Sequence, residues 1–371
     1  MLISAAPPTQ SPVPPQVAAA PPTKAVPNIP RRVAYFDNAK VLAILLVVCG
    51  HFWEPLIGRS HEHLIRALYL LVYAFHMPAF VLMSGYFSRT FTGRPDQLRR
   101  LLTGVLVPFL VWGTALEVFT AHLGDRPVRL APLTPVWITW FLVSLFLWRL
   151  TAPLWRTLRA PVLVSVAVAM LSGAYSLGAQ LSITRTLQFL PFFVIGLTLP
   201  ESFVERFTRA RWPRIAAVPV FAASAVAAYL LAPRLDQVVW FYRSAGAPDL
   251  HVSYLRWLLC AGALMLVGLV LTAAFLALVP RGQSVLSRLG AGTMYAFLVH
   301  AFVQRWLVST HSYDWPFWHH APGQAVLTLT AASLALLLCS PLPARLLRPL
   351  VEPRLSWMFL PDGRGRRGRH S

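Results

Sequence analysis

A chain of 371 residues that is 56% hydrophobic and only 12% charged carries about half the roughly 25% charged residues of a soluble domain. That is too few polar groups to coat a globule of this size in water. A net charge of +20 in a soluble protein would point to nucleic acid, but basic residues also collect in the cytoplasmic loops of membrane proteins, and that reading displaces nucleic-acid binding here. The three cysteines, Cys49, Cys260 and Cys339, all fall in apolar runs and suggest neither a disulfide framework nor a CxxC metal site.

Residues 1–33 hold nine prolines and no acidic residue. Such a segment cannot build a core and is expected to be a disordered, polyproline-prone tail. No charged stretch leads into a short apolar run with a small-residue cleavage site, so a cleaved leader is not expected. Ten apolar stretches follow, near 38–56, 64–88, 101–120, 135–150, 160–179, 186–200, 214–232, 253–280, 289–309 and 323–343. A bilayer core about 30 Å thick needs ~20 apolar residues per helix, whereas barrel strands would read as ~10-residue alternating segments, which are missing. The expectation is an all-α integral membrane protein of about ten transmembrane helices. Its membrane domain occupies 34–345, and a basic tail follows at 346–371. The stretch at 160–179 is the most diluted, by Ser, Gly and Tyr.

Loop charge sets the sidedness. With the amino terminus inside, 24 of the 33 Lys and Arg residues fall in inner segments, among them Arg89, Arg99, Arg149, Arg206, Arg281 and the tail arginines. The asymmetry predicts an even helix count, both termini cytoplasmic and residues 310–322 external.

A charge in the hydrocarbon core costs at least ~2.5 kcal/mol, so ionisable residues inside spans are functional candidates. The first span carries Asp37, Lys40 and His51. Eleven residues are three helical turns plus about 20°, so Lys40 and His51 share a face some 16 Å apart along the axis, and Asp37 is spaced to pair with Lys40. The bland alternative is a snorkelling lysine and a satisfied interfacial histidine. His76 lies near the middle of the second span in Phe75-His76-Met77-Pro78, either structural or catalytic. Ser84 reads as a packing residue, since no GxSxG elbow surrounds it. Arg185, opening the short sixth span, could meet a ligand from outside or anchor the helix to headgroups. His300 is a third intramembrane imidazole, and Glu54 sits at the outer end of the first span. Arg185, His300 and Glu54 are the substrate-binding candidates. Trp137, Trp140 and Trp148 read as aromatic belt ahead of sugar-stacking surface. The Trp315, Trp318, His319, His320 cluster lacks a matching carboxylate or cysteine, so no metal site is predicted.

These residues resemble the acyltransferase-3 family of integral membrane acyltransferases, and look closest to its fucose 4-O-acetylase-like branch. The first-helix pattern of a basic residue, ten residues, then histidine is matched by Lys40 and His51. Lysine replaces the arginine common at that position, keeping the charge but losing bidentate geometry. Tyr73-Ala74-Phe75-His76-Met77-Pro78 through Ser84-Gly85-Tyr86-Phe87 looks like the second-helix block. Weaker echoes are Trp140 to Leu145, Phe189 to Gly196, and Gly292-Thr293-Met294-Tyr295 running into His300. The resemblance covers about residues 34–310 and is most specific in the first ninety. It implies ten core helices, acyl-CoA as donor and a carbohydrate hydroxyl as acceptor.

On that reading the protein is a multi-pass O-acyltransferase of the cell membrane, with acetyl as the expected group and acetyl-CoA as donor. His51 is the expected general base, with His76 and Asp37 as further catalytic candidates and Lys40 as the contact to the donor phosphates. A covalent acyl-histidine route stays open. The rival is a transporter or exporter of a lipid-linked glycan. Against it, the only acids touching the spans are Asp37, Glu54 and Glu117, each near an end, where coupled transporters often carry mid-membrane acids, and no inverted repeat is evident.

Overall fold

The computed structural model describes residues 31–58, 63–233, 238–353 and 355–359. Residues 1–30 of the expected proline-rich tail and residues 354 and 360–371 of the basic tail lie outside the described residues, whereas 31–33, expected in the disordered tail, open the first helix. Among the described residues every regular element is a helix, with no strand. In chain order they are α1 (Arg31–Trp53), α2 (His63–Phe87), α3 (Pro95–Leu101), α4 (Val107–Leu123), α5 (Trp140–Trp155), α6 (Pro161–Ser172), α7 (Ile183–Thr198), α8 (Glu201–Arg209), α9 (Trp212–Leu231), α10 (Val239–Tyr242), α11 (Tyr254–Leu278), α12 (Val285–Leu289), α13 (Thr293–Ser309), α14 (Ala321–Leu338) and α15 (Pro341–Val351). A π-helical turn over Leu102–Leu106 joins α3 to α4.

Eight helical rods among the described residues are long and apolar enough to cross a membrane, and they coincide with eight of the ten predicted spans. The other two predictions fall on helices too, but on shorter ones. α6 has only 12 residues, about 18 Å of rise. It stops at Gly173, where the ring of buried Trp257 fills the space a side chain would need: an added Cβ would lie 2.1 Å from that ring. The diluted end of the predicted span is therefore loop, not helix. α13 has 17 residues and buries His300 and Gln304, so its composition serves the interior rather than lipid.

The eight rods together with α6 and α13 make the ten helices of the prediction, an even number that would put the first and last ends on one side. Contacts between loops agree. On one side Arg89 donates to the Leu199 carbonyl at 3.2 Å, and Arg281 to the Ala210 carbonyl at 2.8 Å. On the other, the Ala247 amide donates to the Gly173 carbonyl at 2.8 Å. α15 presents exposed Leu342, Leu346 and Leu350 beside Arg345 and Arg348, the pattern of a helix lying in the interface. Reporter fusions at residue 25 and beyond residue 362 should both give cytoplasmic signals. Opposite signals from the two ends would reject the even count.

α2 is the central helix, 72% of its span being buried, whereas α9 is 6% buried and lines the periphery. α2 packs closely on α7 because each supplies a glycine at the crossing. A Cβ on Gly85 would lie 2.0 Å from the Phe193 carbonyl oxygen, and one on Gly196 would lie 1.9 Å from that of Leu82. Small residues allow this approach in a bilayer, where no hydrophobic force drives helices together. The result is a rigid α2–α7 pair against which α1, α5, α11 and α13 arrange the polar residues.

Candidate active site

The start of α1 is clamped. The fully buried Asn38 side chain donates to the carbonyls of Pro280 at 2.9 Å and Gly282 at 3.0 Å, and accepts from the Ser284 hydroxyl at 2.7 Å. Next to it, Lys40 Nζ lies 2.7 Å from Asp37 Oδ1, the predicted ion pair. Lys40 opens onto a cavity of about 340 Å³ whose other walls include Arg149, Ser84, Phe80, Met83 and Phe87. Arg149, expected in an inner loop, is instead inside α5, because that helix continues to Trp155. Its Nε donates to the Ser88 hydroxyl at 3.3 Å. Two cations thus face one largely apolar space. Ser84, expected only to pack, is part of its wall.

Val47, Met77, Phe141 and Phe297 line both this cavity and a smaller chamber of about 90 Å³ further along α1. The second chamber brings together four of the predicted residues, His51, Glu54, His76 and Arg185, in an aromatic frame that includes Tyr73 and Trp137. Trp137 and Trp140, read first as belt, are walls of this chamber. Trp148 is core instead: 1% exposed, it donates its indole N–H to the Thr186 carbonyl at 2.9 Å. Trp137 lies with its ring 4.7 Å from that of His51, and the Arg305 guanidinium stacks on it at 3.9 Å.

His300 does not line the chamber. Wholly buried, it stands behind His51, with its Nε2 2.8 Å from His51 Nδ1 and the two rings within 6° of coplanar. Its own Nδ1 lies 2.8 Å from the Ala296 carbonyl oxygen. A carbonyl only accepts, so His300 Nδ1 carries the proton and its Nε2 is left as an acceptor. His51 must then donate from Nδ1, which leaves the lone pair on His51 Nε2. No hydrogen bond among the described residues engages that nitrogen. His300, expected as a substrate contact, is thus bonded to His51, and that bond fixes the tautomer and orientation of the His51 ring. The Gln304 amide fixes the same turn of α1, donating to the His51 carbonyl at 3.3 Å. His76 is held the same way, its Nδ1 2.8 Å from the Val72 carbonyl oxygen.

Two buried polar atoms of residues lining the chamber, Glu54 Oε2 and Arg185 Nε, have no hydrogen-bond partner among the described residues. Buried groups of this kind are nearly always satisfied, which makes them candidates for contact with a bound molecule. Arg185 also stacks over Trp140, 5.2 Å from the ring centre. Beyond it, in the segment joining α10 to α11, Arg243 is held between Phe189 and Phe192, 5.5 and 5.4 Å from their ring centres. Burial pushes its pKa down to about 10, which still leaves it charged at neutrality. No group of three metal-binding side chains occurs among the described residues.

The sequence reading named Arg149 only as an inner basic residue and Tyr73 only within the second-helix block, and it did not single out Tyr242 or Arg305. Arg149 had a usable signal, a charge six residues before an otherwise apolar helix ends. The tyrosines had none.

Comparison with known proteins agrees with this chemistry. The acyltransferase domain family matches residues 33–344. Nodulation protein NolL of Sinorhizobium fredii (strain NBRC 101917 / NGR234) is 26% identical over 187 residues, covering 46% of this chain and 50% of the relative. The chain thus spans about half the length of the curated relative it matches. No solved structure matches it.

Proposed function

The chain belongs to the acyltransferase-3 family of multi-pass membrane proteins, and from that membership we propose that it transfers an acyl group, acetyl in the first instance, from acyl-CoA to a hydroxyl of a sugar or glycan at the cell membrane. The observation that carries the reading is the free Nε2 of His51, held lone-pair outward by His300 in a chamber that shares four wall residues with the Lys40 cavity.

The residues fit the donor. Lys40 and Arg149 supply positive charge for phosphates, while Phe80 and Met83 give the same cavity apolar walls and Phe141 stands on the wall it shares with the His51 chamber. When bound, acetyl-CoA would supply an activated acyl thioester. His51 Nε2 takes the proton of the acceptor hydroxyl as its oxygen bonds to the acyl carbon. The carbon–sulfur bond breaks, and the imidazolium returns the proton to the departing thiolate. His300 stabilises the positive ring through the same Nδ1–H bond. Asp37 keeps Lys40 extended toward the cavity and acts through it. His76, with its Nε2 free in the same chamber, is the second imidazole able to exchange a proton there.

Protein purified in detergent with labelled acetyl-CoA and candidate glycans should transfer label to the glycan. Flux in liposomes without transfer or CoA release would favour the transporter instead. In the same assay Lys40→Arg should keep much of the activity, while Lys40→Met should raise KM for acetyl-CoA several-fold. A defect confined to acceptor KM would contradict the phosphate contact. Asp37→Asn combined with Lys40→Met controls for the unpaired acid.

A further inference from the structure

A third cavity, of about 320 Å³, lies on the outer side of the chamber, and Arg185 is the residue common to both. We propose that this vestibule is the acceptor site and that it takes a sugar ring by its hydroxyls, presenting one of them past Arg185 to His51 Nε2. The proposal rests on the acyl-transfer reading above and adds to it where the acceptor sits and by which route it arrives.

The vestibule differs from the donor cavity in chemistry. Ser176, Ser182, Thr184, Ser244 and Asp249 line it with Arg185, so it offers hydroxyls, a carboxylate and a guanidinium where the Lys40 cavity offers aromatic and aliphatic walls. Its size falls within the ~300–1,000 Å³ typical of ligand pockets. It exists because α6 ends early. The chain from Gly173 onward runs as loop, tied to the segment after α10 by the Ala247 to Gly173 bond at 2.8 Å and by a Ser176 hydroxyl to Asp249 carboxylate bond.

Two further observations point to a ligand there. Arg185 Nε, on the residue shared by vestibule and chamber, is buried without a hydrogen-bond partner among the described residues, and so is Glu54 Oε2 on the chamber wall. A ring carrying several hydroxyls can both donate to the carboxylate and accept from the guanidinium, which an apolar molecule cannot do. Two residues that line this route, Trp137 (φ 44°) and Ser182 (46°), have left-handed backbone, as do Leu181 (52°) and Arg243 (51°), which directly precede the lining residues Ser182 and Ser244. Strained conformations of this sort collect at ligand sites, where the surroundings enforce them. Acceptor and donor would enter from opposite ends of one passage, so both can be bound at once.

The test uses the full chain and two readouts. The first is kinetic. Ser244→Leu, which fills the vestibule, should raise acceptor KM at least about tenfold while acetyl-CoA KM stays within twofold of wild type. The second does not depend on turnover. Ser244→Cys should react with a membrane-impermeant maleimide from the outer face of intact cells, and a panel of methyl glycosides of hexoses and deoxyhexoses should slow that reaction where acetyl-CoA does not. Protection by a glycoside without any transfer activity would keep the vestibule and sink the acyl-transfer reading. Transfer with unchanged acceptor KM in Ser244→Leu, or with no glycoside protecting the cysteine, would overturn the vestibule and leave that reading standing. Protection by acetyl-CoA would overturn it too. Should Ser244→Leu fail to fold, the labelling of Ser244→Cys decides alone.

Discussion

Replacing His51 with glutamine will lower kcat at least about a hundredfold, the lower end of the 10²–10⁴ that a positioned base contributes, and leave acetyl-CoA binding and membrane insertion near wild type. Glutamine keeps hydrogen-bonding capacity and similar reach but cannot accept and return a proton at neutral pH. His51→Ala should be no better. The pH–rate profile gives the sharper measurement. Wild type should lose activity on the acid side as an imidazole protonates, and that limb should be missing from the residual rate of the glutamine variant. Near-normal turnover in His51→Gln would make His51 structural and pass the role to His76, whose Nδ1 is likewise tied to a carbonyl.

Removing the partner should be nearly as damaging. His300→Ala leaves His51 Nδ1–H without its acceptor at 2.8 Å, frees the ring to rotate and to adopt the other tautomer, and removes the group that steadies the imidazolium. Loss of the outer partner of a metal-bound histidine costs ~10–100-fold. A drop in kcat of about that size is expected here, with both KM values little changed. A merely structural role for His300 would instead reduce the amount of folded enzyme at constant kcat. If the two histidines act as one unit, His51→Gln combined with His300→Ala should be barely worse than His51→Gln alone. Multiplying losses would show that they work separately.

Much of this protein is legible without its structure. Apolar runs of helical-span length fix the class and order of the elements, because hydrocarbon tolerates no unpaired backbone and leaves the helix as the local solution. All ten predicted stretches carry helices, and only 160–179 and 289–309 fall short of spanning length. The Lys40–His51 stripe was equally legible. Residues eleven apart on one helix have a fixed relation, as does the Asp37–Lys40 pair at 2.7 Å.

What only the tertiary structure decides is which faces meet. A soluble helix announces its buried face by a polar opposite face, but a membrane helix is apolar all round, so nothing in α13 says that His300 will turn toward a residue 249 positions away. That meeting depends on how closely the helices approach. The approach is set by contacts such as Gly85 on Phe193 and Gly196 on Leu82, where the missing side chain matters only once its neighbour is known. The same holds for Arg149, which the count of basic residues assigned to a loop, and for the vestibule, which is made by the early end of α6. Sequence determined that this is a helical membrane protein with a histidine above a lysine. Packing determined which nitrogen of that histidine is free, because the proton's place is fixed by a carbonyl on another helix.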